Sequence, residues 1–376
     1  MMASFDYWPD IRVIYEPGCI RRLGELTKEL GGKRVLVVTD PGIVRAGISA
    51  RAVQSLEAAS LDVFVFDRVG ENPTTEHVAE GATFASEQEE IDLIVGLGGG
   101  SAMDCAKGIN FLLTNGGRMA DYWGSGKASQ PMLPSIGIPT TSGTGSEAQS
   151  YALISDPDTH KKMACGDRKA RFRIVLLDPE LTVGLPREVA AVTGIDALAH
   201  AIESYVCTKR NEISQMFSRR AWALLSRSFE EVVGGEASVE ARGDMLLGAH
   251  LAGAAIEASM LGAAHACANP LTARHGITHG VAVGLMLPSV IRFNGVTGFY
   301  DGLDVSGCDA DALGERVTHF AQVADFPESL SKAGVKESDL PELARLACDE
   351  WTGTFNPRSL DVSDFQDLYT AAFSGQ

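Results

Sequence analysis

The stretch IDLIVGLGGGSAMDCAKG, residues 91–108, runs from an apolar segment into three consecutive glycines and then into an Ala-containing segment of helical texture. Strand, tight glycine turn and helix in that order form the unit from which parallel sheets are built. Gly98, Gly99 and Gly100 lack a Cβ, so backbone N–H groups there can approach a phosphate closely. They do so at a helix N-terminus, whose dipole favours an anion. Ser101 adds a hydroxyl. A bare strand-to-helix turn needs fewer glycines than this, so phosphate binding is the expectation. The loop departs from the usual dinucleotide fingerprint in two ways. Ser101 replaces the last glycine of G-x-G-x-x-G, and the loop follows the third long apolar run, not the first.

Outward from this loop the same alternation continues. KRVLVVTD (33–40) and LDVFVFDRV (61–69) precede it, and PSIGIPTTSGTGSE (134–147) and FRIVLLDPEL (172–181) follow. Helical stretches such as SARAVQSLEAAS (49–60) and TTEHVAEGATFASEQE (74–89) lie between. Apolar strands separated by helices predict a mostly parallel sheet covered on both faces. Asp40 ends the first of these strands. A carboxylate there can accept from an adenine ribose hydroxyl and repels a 2′-phosphate, which favours NAD over NADP. An Asp in VTDPG is equally a turn residue, and both readings stand. Thr140, Thr141, Ser142 and Thr144 can donate to phosphate or nicotinamide, although a plain Ser/Thr turn is the simpler reading.

From about residue 186 the texture becomes helical: REVAAVTGIDALAHAIESYV (187–206), SQMFSRRAWALLSRSFEEVV (214–233), SDLPELARLACDEW (338–351) and DVSDFQDLYTAAF (361–373). The expected organisation is an α/β domain at 1–185 and an all-α domain at 186–376, packed directly with a cleft between them. MLLGAHLAGAAIEASMLGAAHACA (245–268) is long and apolar, yet His250, Glu257 and His265 interrupt it. A helix buried all round within the helical domain is expected there, not a membrane span.

Four side chains in this half point to a metal. Asp196 and His200 are spaced i, i+4 in a helical run, which stacks them on one face. His265 and His279 follow in HACANPLTARHGITH, with Pro270 and Gly276 between them to let the chain turn. One carboxylate with three imidazoles is a ligand set for a divalent cation such as Zn²⁺ or Fe²⁺. A cation with an open position performs Lewis-acid chemistry. Each pair alone is a weak pattern, and a core His ordinarily makes only a hydrogen bond.

Composition narrows the class further. The 376 residues suit two domains, and 45% hydrophobic with 22% charged residues is ordinary globular composition. Thirty-two basic against 49 acidic residues leave a net charge of −17, which argues against nucleic acid or an anionic membrane as partner. Cys19, Cys105, Cys165, Cys207, Cys267, Cys308 and Cys348 are scattered and odd in number. That pattern fits a reducing cytoplasm better than a disulfide framework. MMASFDYWPDIRVIYEPG has no basic n-region or apolar h-region, so no secretory leader is expected.

Read together, VLVVTDPGIVRAG, ENPT, GLGGGSAMDCAKG, IPTTSGTGSE, LLDPELTVGLP, TGIDALAHAIESYV, HACANPLTARHGITHG and FNPRSL resemble the iron-containing (group III) alcohol dehydrogenase family from end to end. The resemblance implies an N-terminal dinucleotide-binding α/β domain with a helical metal-binding domain, an architecture shared with dehydroquinate synthase. It implies metal ligation by Asp196, His200, His265 and His279, with Fe²⁺ expected and Zn²⁺ the alternative. It implies phosphate contact by Gly99, Gly100 and Ser101, and matches Asp40 to the ribose-contacting acid of NAD-preferring members. Asn72, Asp104, Thr140, Thr144 and Lys162 also fall on its cofactor positions.

The implied activity is reversible hydride transfer between an alcohol or aldehyde and NAD(H), in a cytoplasmic homodimer. Polyol dehydrogenases, maleylacetate-type reductases and dehydroquinate-synthase-like lyases share the fold, and an NAD-binding protein with little turnover is the non-enzymatic alternative. One position departs from the family. Many members carry a second His where this chain has Asn269, and Asn cannot exchange a proton at neutral pH. His275, four residues before His279, is the candidate replacement in a proton path, with an ordinary surface or core His as the alternative.

Overall fold

The computed structural model describes residues 5–88, 90–158, 161–295, 298–304, 307 and 309–375. They form two compact units. The first, the sheet unit, comprises Trp8–Thr141 and Gly145–Leu185. Its strands are β1 (Arg12–Tyr15), β2 (Arg34–Val38), β3 (Asp62–Phe66), β4 (Leu93–Gly98), β5 (Gly124–Ser125), β6 (Ser135–Pro139), β7 (Tyr151–Ser155), β8 (Lys162–Gly166) and β9 (Ile174–Leu177). Its helices are α1 (Leu23–Glu29), α2 (Pro41–Arg45), α3 (Ile48–Ala58), α4 (Thr75–Ser86) and α5 (Gly100–Asn115).

Six strands make one sheet in the order β1-β9-β6-β4-β2-β3, with every pairing parallel. The alternation of strand residues decides the two cores. Val35, Val37, Leu93, Val95 and Leu97 pack on one face with Leu23, Leu26 and Leu56. Leu36, Val38 and Ile94 pack on the other with Ile109, Phe111 and Val78. Both faces are covered, as the continuous apolar runs predicted. Between β2 and β4 the chain reverses its direction of progress across the sheet. Such switch points open a crevice at the carboxyl ends of the strands.

Two features of this unit differ from the sequence expectation. β1, a short strand of mostly exposed residues, adds an edge beside β9, so the glycine loop follows the fourth strand in chain order. The fully buried Asp178 carboxylate steadies that edge by accepting from the N–H groups of Gly18 and Ile20, at 2.7 and 3.1 Å. In addition β5, β8 and β7 form a separate small sheet, in which β7 and β8 are antiparallel.

The second, helical unit contains the described residues up to Tyr7, Ser142–Thr144 and the chain from Pro186 onward. Its helices are α6 (Arg187–Val206), α7 (Glu212–Gly234), α8 (Val239–Glu257), α9 (Ala263–His275), α10 (His279–Asn294), α11 (Ala310–Val323), α12 (Leu340–Cys348) and α13 (Val362–Ser374). α6 is buried along most of its length and packs against α7, α8 and α10. The apolar stretch 245–268 is not one helix: α8 ends at Glu257 and α9 starts at Ala263. No helix among the described residues is long and apolar enough to cross a membrane. Pro270 does not turn the chain either, because α9 runs through it and ends at Gly276, whose φ of 67° makes a left-handed cap. The Tyr369 hydroxyl donates to the Cys267 carbonyl at 2.7 Å, close to the backbone hydrogen bond that Pro270 removes.

Candidate metal centre and nucleotide loop

The helical unit gathers the four predicted ligands. Asp196 and His200 project from one face of α6, His265 from the first turn of α9, and His279 is the first residue of α10. Small residues allow the approach. A Cβ on Gly280 would lie 2.2 Å from the Val192 carbonyl oxygen, and one on Gly284 would lie 3.0 Å from Ile195. α10 therefore meets α6 nearly backbone to backbone, which carries His279 to Asp196.

Asp196 Oδ1 is the common neighbour. His265 Nε2 lies 3.3 Å from it, His200 Nε2 3.4 Å and His279 Nε2 3.8 Å. These separations exceed the roughly 2.7–2.9 Å of a charge-assisted hydrogen bond. Two ligands on a tetrahedral cation with bonds of about 2.1 Å sit roughly 3.4 Å apart, so the separations from Asp196 suit a shared divalent ion. Donor atoms of Asp196, His265 and His279 all fall within 4.8 Å of one another. His200 lies outside that mutual group and joins it through Asp196. Its ring stacks on His265 at 4.9 Å, and His265 meets His279 at 5.4 Å.

The electrostatics suit ligation. Burial alone would raise the Asp196 carboxyl, but the surrounding imidazoles hold it well below the ordinary carboxylate range. Burial lowers the His200 imidazole and so favours its neutral, ligating form. Burial also opposes charge on His265, but there Glu203 and Asp196 outweigh it and lift the group to about 9. A bound cation replaces that proton. The side chains of Asp196, His200 and His265 are 5–8% exposed against 26% for His279, so the centre opens to solvent on the His279 side.

Glu203 was not among the residues singled out from sequence. It lies on α6 seven residues after Asp196, and its Oε2 is 2.5 Å from His265 Nδ1. The i, i+4, i+7 spacing of Asp196, His200 and Glu203 was the available signal. The two residues considered for a proton path each face a carboxylate. Asn269 donates to Glu350 Oε2 at 2.9 Å, and His275 faces Asp339 at 3.9 Å.

The sheet unit places the nucleotide candidates along adjacent strand ends. Gly98 ends β4, Gly99 caps α5, and Gly100 and Ser101 open it. Asp40 follows β2, and Thr140 and Thr141 follow β6. The Thr140 N–H donates to the Gly98 carbonyl at 2.9 Å, and the Asn72 N–H to Ser101 Oγ at 3.3 Å. The turn reading of Asp40 holds: its Oδ1 accepts from Gly42 and Ile43, at 2.7 and 3.1 Å, and caps α2. Its Oδ2 faces Gly98, where a Cβ would come within 3.2 Å. Among the described residues buried Thr140 Oγ1 has no hydrogen-bond partner.

Asp104 is 6% exposed, accepts from the Leu153 N–H and lies 3.6 Å from buried Lys107. Lys107 in turn donates to the carbonyls of Ser146 and Tyr151 at 2.7 and 2.6 Å. Asp104 thus braces α5 from inside. Lys162 is exposed at the start of β8, and Thr144 is half-buried.

Gly98 is the most constrained loop position, with φ of 147° and a Cβ site 2.8 Å from Ala102. Gly98→Ala should lower stability by about 1–3 kcal/mol and weaken NAD binding. An unchanged urea midpoint together with an unchanged NAD titration would refute this role.

A parallel sheet with a glycine-rich strand-to-helix loop, joined in one chain to a helical unit with a candidate Asp-His metal site, is the combination expected of a metal-dependent, nucleotide-binding enzyme. Residues 10–179 match the family model described as iron-containing alcohol dehydrogenase. Residues 190–373 match the C-terminal model of the same family. Alcohol dehydrogenase 4 of Schizosaccharomyces pombe is 36% identical over 99% of this chain and 90% of its own. The crystal structure of a 1,3-propanediol oxidoreductase superposes with a TM-score of 0.91 at 30% identity, covering 98% of this chain and all of the other. A sulfoacetaldehyde reductase from Bifidobacterium kashiwanohense, in complex with NAD⁺, gives 0.90 at 26% identity over 99% and 100%. The chain belongs to the iron-containing alcohol dehydrogenase family. It is an NAD-dependent alcohol dehydrogenase whose cofactors are NAD and a divalent metal.

Proposed function

We propose that Asp196, His200, His265 and His279 hold the metal, Fe²⁺ in preference to Zn²⁺, and that Asp40, Asn72, Gly98–Ser101, Asp104, Thr140, Thr141, Thr144 and Lys162 belong to the NAD site. The observation that carries the metal assignment is the convergence of three imidazole nitrogens on Asp196 Oδ1 within 3.8 Å. When bound, the cation polarises the alcohol or carbonyl oxygen, and NAD accepts or returns the hydride.

The chain supplies the rest. Asp196 stays ionised among the imidazoles. Asp196, His200 and His265 are buried, while the more exposed His279 side would admit a small primary or secondary alcohol. Backbone N–H groups at the start of α5 would hold a phosphate of the cofactor, and Asp40 Oδ2 would accept from a ribose hydroxyl. Asn269 takes no proton, so the proton released on oxidation leaves by another group or by water.

The test is metal analysis of anaerobically purified protein, paired with NAD⁺ reduction across alcohols, diols and 2-hydroxy acids. About one metal per chain and metal-dependent NADH formation are expected. Full turnover by metal-free protein would overturn the assignment.

A cytoplasmic homodimer belongs to the same reading. The described cysteines are all free, consistent with a reducing compartment; Cys308 lies outside the described residues. The β1 edge leaves Val13 and Tyr15 about two-fifths exposed, a surface suited to a second copy. Light scattering of the purified chain measures the assembly state.

A further inference from the structure

We propose that Glu203 is the positioning residue of the metal centre: its buried carboxylate fixes His265 as a ligand through Nε2 and sets metal affinity. This rests on the ligand assignment above. Glu203 is 3% exposed, and both its oxygens are used. Oε2 lies 2.5 Å from His265 Nδ1, and Oε1 accepts the Ala264 N–H at 2.7 Å. An ionised carboxylate only accepts hydrogen bonds. When His265 is neutral, as a metal ligand must be, its proton therefore sits on Nδ1, which leaves the Nε2 lone pair, 3.3 Å from Asp196 Oδ1, for the cation. The other tautomer would present N–H to the cation and bind nothing.

The local backbone is built around this carboxylate. Gly262 precedes α9, and a Cβ there would press on Glu203 Oε1 at 2.9 Å. Its absence lets Glu203 reach the first turn of α9, where N–H groups lack helical partners and negative charge is favoured. Ring and helix are thus held by one group. Charge supports the same role. Asp196 and Glu203 are two buried carboxylates whose ion pairs, among the described residues, go only to histidines. A bound divalent cation would offset the cost of burying both carboxylates.

The test is titration of the metal-stripped full-length chain with Co²⁺ against a competing chelator, with the cobalt visible spectrum recorded. Glu203→Gln has one acceptor oxygen where two are used and carries no charge. It should bind Co²⁺ roughly 10–100-fold more weakly, with an altered spectrum, while still binding NAD. A folded Glu203→Gln with wild-type affinity and spectrum overturns the proposal. If Glu203→Gln does not fold, Glu203→Asp decides, because it keeps the charge but not the reach. A loss of roughly tenfold is expected, and an unchanged affinity overturns the proposal. Asp196→Asn in the same titration separates the two readings. If it too binds Co²⁺ normally, the ligand assignment has failed; if it alone loses the metal, only the role of Glu203 has.

Discussion

Asp196→Asn should abolish metal retention and alcohol-dependent NADH formation together. The substitution keeps the size and shape of the side chain and removes the charge around which His200, His265 and His279 are arranged. Three neutral imidazoles remain, but the anionic ligand is gone and the Asn amide presents donors where lone pairs are required. Metal polarisation of the substrate oxygen contributes several kcal/mol, so turnover should fall by at least roughly a thousandfold. The variant should stay folded, because α6 is held by apolar packing along its length and not by Asp196. Metal content by elemental analysis, circular dichroism and NADH absorbance on one preparation decide the matter. Undiminished activity in a variant without metal would remove the centre from the mechanism. Metal kept without activity would mean that Asp196 acts on the substrate and not on the cation.

How much of the fold and site is legible in the sequence depends on whether the signal is local. The parallel sheet was legible because each strand is a continuous apolar run and each helix follows within a few residues. The glycine loop was legible because three adjacent glycines have few other uses. Asp196 and His200 were legible through helical spacing, whereas their meeting with His265 and His279 depends on α10 lying against α6. That approach is permitted by Gly280 and Gly284, whose importance shows only against Val192 and Ile195. β1 escaped notice because an edge strand of four residues, mostly exposed, carries almost no apolar pattern. Pro270 misled because proline removes one hydrogen bond but tertiary packing can still carry a helix through it. The break after Glu257 was hidden by Ala-rich sequence that is as helical in texture there as on either side. Glu203 is not legible in the sequence because the imidazole it contacts lies 62 residues away.

Asp40 is where local and functional readings coincide, and the two can be separated. Oδ1 caps α2 through Gly42 and Ile43, while Oδ2 faces Gly98 at the end of the neighbouring strand. Asp40→Asn keeps an acceptor for the cap, so stability should change by no more than about 0.5 kcal/mol. Asp40→Ala loses the cap and should cost about 1 kcal/mol. The charge affects cofactor choice instead. Two like charges about 4 Å apart near a protein surface repel by about 4 kcal/mol, and a 2′-phosphate carries more than one. Relieving that repulsion should raise the ratio of kcat/KM for NADP⁺ over NAD⁺ by roughly two to three orders of magnitude. Most of the change should come from improved use of NADP⁺, since the Asn carbonyl still accepts from a ribose hydroxyl. Steady-state kinetics with both cofactors at saturating alcohol provide the measurement. If Asp40→Asn leaves the ratio unchanged while Asp40→Ala lowers the melting temperature, Asp40 is a helix cap and the discrimination lies elsewhere in the loop. If the ratio rises at unchanged stability, the carboxylate serves both purposes, one oxygen for the fold and one for the cofactor.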